Sequence, residues 1–140
     1  MSDGVGESPA ALEILLVEDN PGDVRLTKEA LRATSIDHDF HVVTDGAEAL
    51  DFLHRRGEHA DAPRPDIILL DFKLPRLNGD EVAAKIDDTG DLDQIPLIVL
   101  TGHPARDEVI GTDDLPVDAA LTKPVDSEEF LETVRSLERV

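Results

Sequence analysis

Short apolar runs recur along the chain, separated by polar stretches that carry glycine and proline. LEILLV (12–17), DFHVVT (39–44), IILL (67–70), PLIVL (96–100) and DAALT (118–122) have the length and composition of strands. Between them, apolar residues fall three and four apart, the spacing of helices with one buried face. This predicts helices over 24–33 (VRLTKEALRA), 46–56 (GAEALDFLHRR), 79–88 (GDEVAAKIDD), 104–111 (PARDEVIG) and 127–140 (SEEFLETVRSLERV). In the second of these, Ala47, Leu50 and Phe52 or Leu53 are expected to face the core. Asn20 suits an N-cap, and Pro21 suits the first turn, where its missing N–H has no partner to lose. GEHADAPRPD (57–66) reads as a polar connection.

Strands alternating with helices require parallel pairing through right-handed crossovers, which covers the sheet on both faces. The runs ILLV, IILL and LIVL are continuously apolar, as befits central strands buried on both sides, whereas FHVV is weaker and suits an edge. The predicted class is α/β, a doubly wound, flavodoxin-like (βα)5 sheet of order 2-1-3-4-5. Its ligand crevice lies beyond the carboxyl ends of strands 1 and 3, where the winding reverses. Residues 1–11 read as a flexible lead-in and 12–140 as one domain, in keeping with a length of 140 residues.

Charge alters the picture more than the rest of the composition. Thirteen Lys and Arg against 32 Asp and Glu give a net charge of −19, spread along the chain. Affinity for DNA comes largely from Lys and Arg neutralising phosphates, so direct DNA binding is not expected. Self-repulsion on this scale weakens at high ionic strength, which predicts a salt-rich, halophilic cytoplasm as the working environment. The absence of cysteine excludes disulfides and thiolate chemistry. No stretch is long and apolar enough to span a bilayer, and MSDGVGESPA lacks the basic start and apolar middle of a signal peptide, so a cytoplasmic location is expected.

Candidate chemistry gathers at the strand ends: Glu18 and Asp19 after the first strand, Asp71 after the third, Thr101 after the fourth and Lys123 after the fifth. Each alone fits a turn, a cap or a solvated residue, but all five fall at one end of the predicted sheet. Three clustered carboxylates repel one another unless a cation joins them, and an all-oxygen set suits Mg²⁺. A lysine ammonium and a threonine hydroxyl facing the same point suit phosphoryl oxygens, and an aspartate can accept a phosphoryl group as an acyl phosphate. The histidines at 38, 41, 54 and 59 show no metal-ligand spacing and read as surface residues. His103, two past Thr101, is a candidate for tuning access to the site.

VEDNPGDVRL, ILLDFKLPRLNG, IVLTG and LTKPVD, in that order, resemble the receiver domain of two-component response regulators from about Leu12 to the C-terminus. The likeness is greatest to small single-domain regulators of phytochrome-type and other sensor kinases. It implies that Asp71 is the phosphoacceptor for a histidine kinase or phosphotransfer protein. It also implies Mg²⁺ on Asp19, Asp71 and the backbone carbonyl of Lys73, with Glu18 acting through water. Thr101 and Lys123 would hold the phosphoryl group, with the Lys123–Pro124 bond cis. Such a domain catalyses only its own phosphorylation and dephosphorylation and is not otherwise an enzyme.

Several features set limits on the resemblance. Ala120 stands where many receivers carry an aromatic residue that moves with the threonine, and weak helix formers near 111–114 point to a short, mobile element over 103–116 as the output device. The Lys73 ammonium, set over the site, would shield an acyl phosphate from water and prolong its life. An aspartate-nucleophile phosphohydrolase is the rival enzyme, although its usual second aspartate is replaced by Lys73; an unphosphorylated interaction module is the other rival. No phosphate-binding G-x-x-x-x-G-K-[ST] loop follows the first strand. Output is expected through contacts with an unidentified downstream protein, and phosphorylation-linked homodimerisation is left open.

Overall fold

The computed structural model describes residues 12–34, 37–71, 79–88, 90–101 and 118–138. Lys73, His103, the predicted helix at 104–111 and the lead-in 1–11 lie outside them. Five strands form one sheet: β1 (Leu12–Val17), β2 (His38–Val43), β3 (Ile67–Asp71), β4 (Leu97–Thr101) and β5 (Ala119–Thr122). All neighbours pair in parallel in the order β2-β1-β3-β4-β5, as the sequence predicts, with β2 at an edge. The helices are α1 (Pro21–Arg32), α2 (Gly46–His54), α3 (Gly79–Asp87) and α4 (Ser127–Glu138). A 3-10 turn over Gly90–Gln94 brings Leu92 into the core.

The apolar strands feed two cores because successive side chains leave opposite faces of a sheet. Leu15, Val17, Ile68 and Leu70 face one core, which includes Phe52 and Leu53 of α2 and Val82, Ala83 and Ile86 of α3. Ile14, Leu16, Ile67 and Leu69 face the other, closed by Leu31 of α1 and by Phe130 and Val134 of α4. Both faces are buried over 14–17, 67–71 and 97–101, so no polar alternation survives there.

In α2 the buried set is Gly46, Ala49, Phe52 and Leu53, while Ala47 is exposed and Leu50 only half-buried. The expected face was out of phase at Ala47. Asp45 accepts from the Glu48 N–H at 2.8 Å and starts the helix at Gly46, which turns 46, 49, 52 and 53 inward. The helix also stops two residues before the predicted Arg56, because Arg55 takes the left-handed conformation with φ 55°. Three histidines read as surface residues, His38, His41 and His59, are half-buried instead. His41 meets Glu13 at 2.6 Å and His59 meets Glu48 at 3.2 Å, and their rings flank Phe52 at 5.5 and 5.3 Å. Period counting cannot find such a stack, since its members come from a strand, a helix and a connection.

Asn20 caps α1 as predicted, its side chain accepting from the Asp23 N–H at 3.1 Å. Removing a cap of this kind costs about 1 kcal/mol. We therefore expect Asn20→Ala to lower the unfolding free energy by about that amount, read from urea titrations with an unchanged slope.

Candidate functional site

Strand register decides which side chains meet. Val17 pairs with Leu70 across β1 and β3, so the next residues, Glu18 and Asp71, leave adjacent strands side by side. Thr101, the last residue of β4, pairs with Thr122 of β5, and Lys123 follows directly. The Lys123 N–H donates to the Thr101 carbonyl at 2.8 Å, which extends the ladder by one bond. The Lys123–Pro124 peptide is cis, as the resemblance implied.

The described members of the predicted set come together. Glu18, Asp71 and Thr101 are buried, whereas Asp19 is exposed at the crevice. Carboxylate oxygens of Glu18, Asp19 and Asp71 lie within 4.8 Å of one another. Lys123 Nζ is 2.8 Å from Glu18 Oε1 and 3.3 Å from Asp71 Oδ1. It is also 2.9 Å from Oδ2 of Asp23, which reading along the strand ends did not find. The signal was available: Asp23 sits three residues after the N-cap Asn20, in the first turn of α1, next to the end of β1.

The electrostatics follow from burial. Glu18 is 1 % exposed, and its carboxyl is pushed up to about 7, chiefly by that burial. The Lys123 hydrogen bond works against the rise, and the negative charge of Asp71 adds to it. Burial disfavours the Lys123 ammonium too, but hydrogen bonds to Glu18 and Asp23, with the charge of Asp71, hold it above the usual lysine range. Lys123 is therefore a fixed positive charge set among carboxylates. A cluster of three carboxylates, one of them strained by burial, is a donor set suited to a hard divalent cation.

The fold recurs in known proteins. The family model for the response regulator receiver domain matches residues 14–135. The response regulator Rcp1 of Synechocystis is 41 % identical over 132 residues, which is 94 % of this chain and 90 % of that protein. Its Mn²⁺-bound crystal structure matches with a TM-score of 0.73 over 91 % of each chain. The phosphorylated cyanobacterial phytochrome response regulator RcpA is 39 % identical, with a TM-score of 0.75 over 93 % of each chain.

Proposed function

The chain belongs to the response regulator receiver family, and from that premise we propose that Asp71 accepts a phosphoryl group from a sensor histidine kinase and passes the signal on through protein contacts. The observation that carries this reading is the Lys123 ammonium, held between Glu18 and Asp71 at the ends of β1 and β3. A carboxylate oxygen of Asp71 attacks phosphorus, a new O–P bond forms, and the bond from phosphorus to the donor nitrogen breaks. Lys123 and the Thr101 hydroxyl then have the charge and the donors to hold the phosphoryl oxygens. Glu18, Asp19 and Asp71 would hold Mg²⁺, which when bound supplies positive charge to offset the negative charge of the transferring group. The carbonyl of Lys73, implied as a further ligand, lies outside the described residues, as do the proposed roles of Lys73 and His103 in tuning. The domain is read as an acceptor rather than as an enzyme acting on other phosphate esters.

Incubation with a small phosphodonor and Mg²⁺ in molar salt, followed by intact-mass measurement, tests the reading. One added phosphoryl group per chain is expected. Steady release of phosphate from added esters, with no labelled protein, would favour the hydrolase instead.

The raised Glu18 carboxyl gives a second expectation. Near pH 7 the metal-free protein carries a proton on Glu18 part of the time, and a cation needs the carboxylate form. Mg²⁺ binding should therefore release a fraction of a proton at pH 7, and the apparent affinity should weaken as the pH falls below that point. Calorimetry in buffers of differing ionisation enthalpy measures the release directly. Metal affinity unchanged between pH 8 and pH 6 would show that Glu18 is already ionised.

A further inference from the structure

We infer that Asp23 is a positioning residue for the phosphoryl site, a counterweight that holds the Lys123 ammonium toward α1 and that a phosphoryl group on Asp71 must outcompete. The inference rests on the reading of Asp71 as the acceptor. An ammonium has three N–H donors, and here it has three carboxylates around it. The contacts to Glu18 Oε1 and Asp23 Oδ2 are 2.8 and 2.9 Å, whereas that to the acceptor Asp71 is 3.3 Å, the longest of the three. The ammonium thus lies closer to Glu18 and Asp23 than to the acceptor carboxylate.

Of these partners, Asp23 alone stands outside the cluster of Glu18, Asp19 and Asp71 that suits a cation. A cation engaging Glu18 would leave the hold on Lys123 from the other side to Asp23. Asp23 is well placed for this. Its own N–H is fixed by Asn20 Oδ1 at 3.1 Å, and the Asn20 N–H is tied to Glu18 Oε2 at 3.2 Å, so the first turn of α1 is pinned to the site. A Cβ on Gly22 would come within 3.2 Å of Asn20 Oδ1, so the glycine leaves this cap its room. With Lys123 only 15 % and Asp23 33 % exposed, solvent screens the pair little.

A plainer role is open to any acid in a first turn, which complements the helix dipole. The two differ in what they predict for Lys123. The phosphoryl mimic beryllium trifluoride, which coordinates a carboxylate oxygen, provides the test in the presence of Mg²⁺ and molar salt. Asp23→Asn should bind the mimic about tenfold more tightly than the natural chain, on the scale of coupling within one ion network. Asp23→Glu, which restores the charge, should return toward the natural value. In a Lys123→Gln background the effect of Asp23→Asn should vanish. Equal tightening in both backgrounds would mean simple charge repulsion between Asp23 and the mimic, and would overturn the inference, as would no tightening at all. A natural chain that binds no mimic would instead defeat the acceptor reading, and the inference with it. Should Asp23→Asn fail to fold, the natural chain decides by NMR. The Asp23 carboxyl carbon is expected to shift in step with the Lys123 ammonium on addition of the mimic, and an Asp23 signal that stays put overturns the inference.

Discussion

Asp71→Asn should take up no phosphoryl group from a small donor under conditions that label the natural chain to completion. The amide oxygen has the shape of the carboxylate oxygen it replaces but lacks the charge and nucleophilicity that open the route to an acyl phosphate. The fold should survive the change, because Asp71 ends β3 and its backbone pairs with β4 whatever the side chain. Loss of labelling with unchanged far-UV circular dichroism is the expected pair of results. Labelling retained in the variant would mean that another carboxylate is the acceptor, with Asp19 and Glu18 the nearest. Cation affinity should also fall, since one of the three clustered carboxylates is gone.

Lys123→Met should destabilise the metal-free protein by about 3 kcal/mol near pH 8, the order found when one partner of a buried ion pair is removed. Methionine keeps most of the stem's volume, so the loss reports charge rather than packing. Glu18, Asp23 and Asp71 would then face one another without the ammonium that lies within 3.3 Å of each. The sign of the pH dependence follows from Glu18. Its carboxyl in the fold sits near 7, above the ordinary 4.5, so below that point it takes up a proton and sheds the charge that Lys123 had balanced. The deficit should accordingly shrink between pH 8 and pH 5, and Mg²⁺ should also narrow it at pH 8 by supplying positive charge. Denaturant titrations at the two pH values, with and without Mg²⁺, measure all of this. A deficit that is the same at both pH values would show that Glu18 does not respond to the missing ammonium.

The architecture was largely legible in the sequence because the three central runs are apolar without interruption, and their shortness between polar, turn-forming stretches fits strands buried on both faces. The strand ends were legible for a related reason: a carboxylate that directly follows four apolar residues, as Asp71 does, falls at the sheet's carboxyl edge by chain geometry alone. Asp23 was missed because it belongs to a helix turn, and its link to Lys123, one hundred residues away, depends on how α1 packs rather than on any local pattern. Ala47 was misplaced because a helical face is known only once its starting residue is fixed, and Asp45 fixed it. The stack of His41, Phe52 and His59 was illegible for the same reason as Asp23, being assembled from three separate elements.

The hydrogen bond from the Lys123 N–H to the Thr101 carbonyl has a mechanical meaning. The two residues that would grip a phosphoryl group from one side are fastened to each other through the main chain, as the jaws of a clamp share a pin. Neither backbone can shift toward Asp71 alone without breaking that bond. With Ala120 buried in β5 and offering no large side chain to relay a movement, this main-chain link is what would couple a displacement of Thr101 to Lys123.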